Sequence, residues 1–151
     1  MGGIEVSVDH FPLVHITHHG GKEDDVYIQM FERMKQITNR GMKFVNVVEA
    51  PGPTLPTATQ RKLISDWYVR ERHAFNEFSI GTAVVANSAL QSGAITAILW
   101  IMRPQVPVVS FASRTEALGW CRDKLVEHAV PIAPPLSRFF TRSGLDASRA
   151  G

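Results

Sequence analysis

The chain has 151 residues, of which 44% are hydrophobic and 20% are charged, a composition that suits one globular domain. Its 16 Lys and Arg residues against 14 Asp and Glu residues give a dispersed net charge of +2, which argues against a nucleic-acid-binding protein. The longest apolar run, residues 94–102, is about half as long as a membrane-spanning helix, and the single cysteine excludes an internal disulfide. Without a secretory leader or a transmembrane segment, we expect a cytoplasmic protein.

The first elements in chain order are predicted to be a β-hairpin and a helix. Apolar and polar residues alternate over residues 4–8, and a turn then leads into a second strand at residues 13–18. Asp24 and Asp25 are residue types that cap helices, and the apolar stripe that follows them ends at Gly41.

A strand, a helix and another strand come next. Residues 44–48 form an apolar strand, which is followed by a proline-rich loop at residues 50–56 that no helix can cross. Thr57 or Thr59 then opens an amphipathic helix. The continuous apolar run at residues 80–86 predicts a strand that is buried on both faces of the sheet.

Two further helix starts carry the pattern of a capping box. Ser88 precedes Gln91 by three residues, and Ser113 precedes Glu116 by the same interval. In such a box the serine oxygen accepts a hydrogen bond from a backbone N–H at the helix start, while the longer side chain reaches back. Between these helices, residues 106–111 predict a short β-branched strand, which completes a parallel α/β unit.

The predicted order is ββαβαβαβα, an α/β fold with a single mixed sheet of about five strands flanked by four helices. We assign residues 1–128 to this domain and residues 129–151 to a C-terminal tail. The tail is basic and aromatic, and Phe139 and Phe140 within it should dock on the domain or on a neighbour. Three prolines are expected to exclude regular helix there: Pro131, Pro134 and Pro135.

Three segments resemble the SpoIIAA-like branch of STAS domains: residues 81–85, 90–97 and 111–120. The residues that carry the resemblance most strongly are Phe111, Glu116, Ala117 and Trp120, and by element order it extends over residues 4–128. The resemblance implies a non-catalytic bacterial module that regulates by binding protein partners. In some members of this family the ligand is instead a small apolar or lipidic molecule.

The sequence departs from that family at its phosphorylation site. STAS anti-sigma-factor antagonists carry an Asp-Ser-[Ser/Thr]-Gly motif after the third strand, whereas residues 49–57 here read EAPGPTLPT. Thr54, Thr57 and Thr59 supply hydroxyls in the same neighbourhood. Each is a candidate for phosphorylation at a helix start, and the alternative for this residue type is a plain N-cap.

The N-terminal histidines are the candidates for a metal site. On an extended strand, His15 and His19 point to one face and His18 to the other, so their imidazoles do not converge without added carboxylates. We therefore predict solvated or core-edge histidines and no metal. A metal-dependent enzyme using these residues is the less favoured alternative.

No residue is predicted to be a catalytic nucleophile, and no cofactor is expected. Cys121 shares a helix face with Leu118 and Leu125, which indicates a core residue rather than an exposed thiolate. Ser88 and Ser92 have no base nearby in sequence and lie in no nucleophile-elbow motif.

The helix predicted at residues 89–102 is apolar on several sides and should need cover all round. It is either central in the domain or packs against a protein partner, a second copy of the chain, or an apolar ligand held between it and the sheet. The predicted partner or ligand surface consists of Leu90, Ile95, Ile98, Leu99, Met102, Phe139 and Phe140.

Overall fold

One five-stranded mixed sheet organises the protein. The computed structural model describes residues 3–20, 24–50, 56–93, 96 and 103–145. The strands are β1 (Ile4–His10), β2 (Leu13–His18), β3 (Phe44–Glu49), β4 (Ser79–Val85) and β5 (Val108–Phe111). They lie side by side in this order; the β1–β2 pair is antiparallel, and each later strand is parallel to the one before it. The helices are α1 (Asp25–Thr38), α2 (Ala58–Phe78), α3 (Arg114–Glu127) and α4 (Pro134–Arg142), and residues 89–93 are also helical.

The strand side chains alternate between two hydrophobic cores, one on each face of the sheet. Leu13 packs with residues of α3 and α4, whereas the next residue, Val14, packs with residues of α1 and α2. This alternation is the period of two of a pleated strand. We call the two sides the α3–α4 face and the α1–α2 face. With helices on both, the sheet is the middle layer of an α/β/α sandwich.

Local side-chain caps begin three of the predicted helices. Thr57 Oγ1 accepts from the Gln60 N–H at 3.1 Å, and Gln60 Oε1 accepts from the Thr57 N–H at 2.9 Å, so a complete capping box starts α2. Ser88 and Ser113 each accept from the N–H three residues on, at 3.2 Å. Asp24 occupies the N-cap position of α1, but its side chain makes no capping bond, so that part of the prediction is wrong.

Helix α4 corrects the prediction that prolines exclude regular helix after residue 128. Pro134 and Pro135 lie at the first two helical positions, where a backbone N–H has no partner within the helix, so proline sacrifices no hydrogen bond there. Leu136 and Phe140, one turn apart, are only 1% and 2% exposed in the core of the α3–α4 face. Residues 134–142 are therefore a packed helix rather than an irregular segment.

The end of α3 has the hydrogen bonds of a Schellman motif. The Val130 N–H donates to the Leu125 carbonyl at 2.9 Å, and the Ala129 N–H donates to the Val126 carbonyl at 3.0 Å. Ala129 adopts a φ of 55°, in the left-handed region that favours glycine. Val130 packs against the core of the α3–α4 face, which compensates for this strain.

The fold class predicted from the sequence is confirmed, and α4 is one helix more than predicted. All five predicted strands are present, with their ends shifted by at most a few residues. Within the described ranges, no helix combines the length and apolar character needed to cross a bilayer.

Candidate functional site

The loops at one edge of the sheet form the candidate site. Because β2 to β5 are parallel, their carboxyl ends meet at the same edge, and α2, the helical residues 89–93 and α3 all begin after strands that end there. Ligands of open α/β sheets bind outside the carboxyl ends of the strands, where loops from several strands come together. We call this region the carboxyl edge and define it by Glu49, Thr57, Ser88, Leu90, Arg114 and Thr115.

Glu49, at the end of β3, connects strand β2 to helix α3. Its Oε1 accepts a hydrogen bond from His15 Nε2 at 2.7 Å, and Nε of Arg114 lies 3.6 Å from the same oxygen. The hydrogen bond with His15 is the main cause that lowers the pKa of Glu49; partial burial opposes it and the charge of Arg114 assists it. The ionised carboxylate thereby attracts Arg114, whose Nε forms an ion pair with it.

An open cleft of about 450 Å³ lies between the start of α3 and the end of α4. We call it the arginine cleft; it is lined by Arg114, Thr115, Phe139, Arg142 and Ser143. Thr115 Oγ1 donates to the Ser143 carbonyl at 3.4 Å, and Ser143 Oγ donates to the Phe139 carbonyl at 2.8 Å. Because both hydroxyl groups donate to backbone carbonyls, the side-chain donors that the lining residues offer to a ligand are the two guanidinium groups.

The two arginines of the cleft differ in how they are compensated. Arg114 has Glu49 as a counter-ion, but that carboxylate is shared with His15. Arg142 is exposed and makes no hydrogen bond or ion pair with the part of the chain that the structure describes. The cleft therefore carries more positive than negative charge.

Phe139 supplies an apolar wall, and a stacking contact with another ring fixes its orientation. Its ring stacks on His10, at the end of β1, with centroids 4.2 Å apart and an interplanar angle of 23°. A stacked pair of this kind adds to the stability gained from burial alone. The wall of the cleft is thus tied to the sheet as well as to α4.

Leu90 is the most exposed large hydrophobic residue of the described ranges, with 70% of its surface accessible. It lies in the first turn after Ser88, and the neighbouring Gly93 is exposed too. The sequence contains no Asp, Glu, Lys, Arg or His between Glu77 and Arg103. An exposed leucine is common in itself, but here it lies on an uncharged segment at the carboxyl edge.

The predicted partner surface is only partly within the described residues. Leu90 is exposed, as a partner surface requires, and Phe139 is half-buried. Phe140 is 2% exposed in the core of the α3–α4 face, so it docks on its own domain, one of the two expected alternatives, and is not accessible as part of a partner surface. The other members, Ile95, Ile98, Leu99 and Met102, lie outside the described residues, as does most of the helix that would wall an apolar ligand pocket.

The threonines proposed for phosphorylation have different settings. Thr57 is the N-cap of α2, so its capping interpretation is confirmed, and its side chain is nevertheless exposed. Thr59 is exposed in the first turn of α2, and Thr54 lies outside the described residues. Phosphorylation of any of them remains a prediction.

The N-terminal histidines make separate contacts and do not converge. His18 Nδ1 accepts from the Gly20 N–H at 3.0 Å, and its Nε2 lies 2.9 Å from Tyr27 Oη. Burial lowers the pKa of His18 and raises that of Tyr27 to about 12, so both are neutral at physiological pH. His19 pairs with an exposed carboxylate on β1. Among the described residues, no three His, Cys, Asp or Glu side chains are placed to hold a metal ion.

Cys121 is a core residue, as its helix face predicted. It is fully buried between Leu118 and Leu125 in sequence, its Sγ lies 3.6 Å from the Asn46 carbonyl, and burial raises the pKa of its thiol to about 12. Ser88 uses its hydroxyl oxygen as a helix cap. These settings favour structural roles for both residues.

Sequence reasoning did not identify Arg114 and Arg142 as neighbours. They belong to different helices, and the packing of α4 beside α3 brings them to one cleft. The available signal is the basic and aromatic character of residues 137–142, which by itself indicates a tail. Only the packed helix gives that segment a defined position against α3.

Comparison with solved structures finds a crystal structure of an uncharacterized protein of the DUF3478 family from Shewanella loihica PV-4, which has a SpoIIAA-like fold. The match has a TM-score of 0.55 at 17% sequence identity and covers 80% of this chain and 95% of the other. This chain therefore has a SpoIIAA-like fold, as the resemblance around Phe111 and Trp120 implied. No protein-family model matches the sequence, and no curated protein matches it.

Proposed function

We propose that this SpoIIAA-like domain is a non-catalytic regulatory module of the bacterial cytoplasm that binds a protein partner at the carboxyl edge. The observation that carries the proposal is the exposure of Leu90 at that edge, on a segment without charged residues. Burying a leucine that is otherwise exposed contributes about 1.5–3 kcal/mol, which is enough for one residue to dominate a small interface.

The chemistry of the segment indicates what kind of surface the partner presents. Asn87, Ser88 and Gly93 surround Leu90 in sequence and are exposed, small and neutral. They offer hydrogen bonds and close backbone approach but no ion pair. A complementary partner therefore presents an apolar pocket for Leu90 with a neutral rim, as at the centre of many interfaces, from which charged side chains are depleted.

Two features of the described residues support a role in binding rather than catalysis. The Cys121 thiol is buried with a pKa of about 12, which makes it a poor nucleophile. Both ring nitrogens of His18 are engaged in hydrogen bonds within the fold, so this imidazole is not poised as a general base. These two groups thus serve the structure.

Site-specific photocrosslinking in the source cells tests the proposal. A photoreactive phenylalanine analogue replaces Leu90, and the matched control carries it at Val69, which is 55% exposed on α2. We expect a crosslinked species heavier than the 16.8 kDa chain with the probe at position 90 only. The partner identified in this way is then purified by itself, and its binding to the chain is measured with the two purified proteins.

Equal crosslinking from both positions, or none from position 90, would contradict the proposal. A product with the mass of two copies of the chain would mean that the partner is a second copy of this protein, which is then a homodimer.

A further inference from the structure

The arginine cleft carries two positive charges on its walls. Arg114 and Arg142 both line it, and in the described part of the chain their one carboxylate neighbour is Glu49, which also binds His15. Like charges that line the same cleft repel each other, and solvent reduces this repulsion because the cleft is open. A bound anion would remove this repulsion.

We propose that the arginine cleft binds a small organic anion, with its carboxylate or phosphate group between Arg114 and Arg142 and its apolar part against Phe139. This inference does not depend on the partner-binding role proposed above, which rests on Leu90, although Arg114 and Thr115 also belong to the carboxyl edge. The ligand class follows from the donors: guanidinium groups form paired hydrogen bonds with the oxygens of carboxylates and phosphates.

The geometry of Arg114 favours such a role. Its Nε lies 3.6 Å from Glu49 Oε1, so a carboxylate restrains the side chain, and Arg114 also lines the cleft. A guanidinium held in place loses less conformational entropy on binding than a free one. Arg142 contributes the second charge from the last turn of α4.

The remaining walls set the size and the polarity of the ligand. A cavity of about 450 Å³ lies within the range of small-molecule sites and is larger than a bare inorganic ion requires. Phe139, held by its stack on His10, offers a flat apolar surface. The Thr115 and Ser143 hydroxyl groups donate their hydrogen bonds within the protein, so their oxygens can only accept a hydrogen bond from a ligand hydroxyl or amine.

Titration of the full-length ¹⁵N-labelled protein tests the proposal. The probes are phenyl phosphate, benzoate and inorganic phosphate, with phenol as the neutral control. We expect the two aromatic anions to shift the amide signals of Thr115, Phe139, Arg142 and Ser143, with a Kd on the order of 1 mM that rises with added salt. Phenol should leave these signals unshifted. Tighter binding of phenyl phosphate than of benzoate would identify a phosphate ester, and the reverse order a carboxylate.

Arg142→Gln is the decisive variant, because Arg142 is exposed and makes no hydrogen bond or ion pair with the described residues that the substitution would remove. We expect it to weaken binding of the preferred probe about tenfold or more, the effect of removing a charge-assisted hydrogen-bond donor. Arg142→Lys keeps the charge but removes the planar group that forms paired hydrogen bonds, so it should weaken binding less than Arg142→Gln. Arg72→Gln, on the exposed side of α2, is the matched control and should change the Kd less than about twofold.

Three outcomes would overturn the proposal. The first is the absence of signal shifts with any anion, and the second is a set of shifts confined to another part of the protein. The third is equal weakening by Arg142→Gln and Arg72→Gln, which would mean that only the overall charge attracts the probes. Circular dichroism of each variant establishes that it is folded before titration.

Discussion

The contact between Gly81 and Trp120 gives the sharpest stability prediction. A Cβ added at Gly81 would lie 2.5 Å from Trp120 Cη2, 3.2 Å from Cζ3 and 3.4 Å from the Pro107 carbonyl oxygen. The indole cannot move aside freely, because it packs between Phe111, with ring centroids 6.0 Å apart, and Lys124 above its ring. Gly81→Ala must therefore displace helix α3, strand β4 or the indole itself.

The expected magnitude follows from two opposing effects. Overpacking a core position costs about 1–3 kcal/mol. Replacing glycine by alanine at an ordinary backbone conformation returns about 0.4–1 kcal/mol, because the unfolded chain has fewer states. We expect Gly81→Ala to lower the free energy of unfolding by about 1–2 kcal/mol in urea titrations followed by circular dichroism.

Two matched comparisons isolate the cause. At Gly93, in a helical turn, an added Cβ meets nothing within 4 Å, so Gly93→Ala should stabilise by about 0.5–1 kcal/mol. In a Trp120→Leu background the obstructing ring is gone, and Gly81→Ala should be neutral or slightly stabilising. An equal cost of Gly81→Ala in both backgrounds would refute the steric argument, since the double-mutant cycle would then show no coupling.

Further predictions concern the end of α3, the core and the partly buried Glu49. Ala129→Gly should raise the free energy of unfolding by about 1 kcal/mol, because glycine adopts the left-handed conformation without strain; an unchanged or lower urea midpoint would contradict this. Phe140→Ala should cost about 3–5 kcal/mol, and a loss below 1 kcal/mol would mean that α4 is not packed in the core. The Cys121 thiol should react with a disulfide reagent only at the rate of unfolding, so rapid stoichiometric labelling of the native protein would disprove its burial. Since the pKa of Glu49 is lowered in the folded state, its contribution is complete above the ordinary carboxyl pKa and is lost as the pH falls through the folded value. Glu49→Gln should therefore be less stable than the wild type at neutral pH, with a difference that shrinks in acid, whereas Glu127→Gln, at an exposed pair, should show little difference at any pH.

Local signals made much of the fold predictable. Thr57, Ser88 and Ser113 are followed at a fixed interval by the residue whose N–H they accept, so three helix starts are encoded within four residues each. Period-two alternation and the apolar run before Asn87 located the strands, because a pleated strand buries alternate or all side chains according to its cover.

The parts that sequence reasoning missed depend on position or on long-range contact. Pro134 and Pro135 break a helix interior but fit its first turn, and only the helix that follows reveals which case applies. The pair of His15 and Glu49 joins strands 34 residues apart, and the arginine cleft forms only when α4 packs beside α3. Leu90 belongs to the surface predicted to bind a partner or ligand, because its helix is apolar on several sides; the residue is 70% exposed, and its role in binding stays a prediction.

The most direct test of the account is the affinity between this protein and the partner captured at position 90, measured by isothermal titration calorimetry with purified components. If the carboxyl edge is the binding surface, Leu90→Asp should weaken binding about 30-fold or more, as for a residue at the centre of an interface. Val69→Asp, an equally drastic change on exposed α2, should leave the Kd within about threefold of the wild type. Equal affinity of Leu90→Asp and the wild type would contradict the central claim and place the function of this fold on another surface.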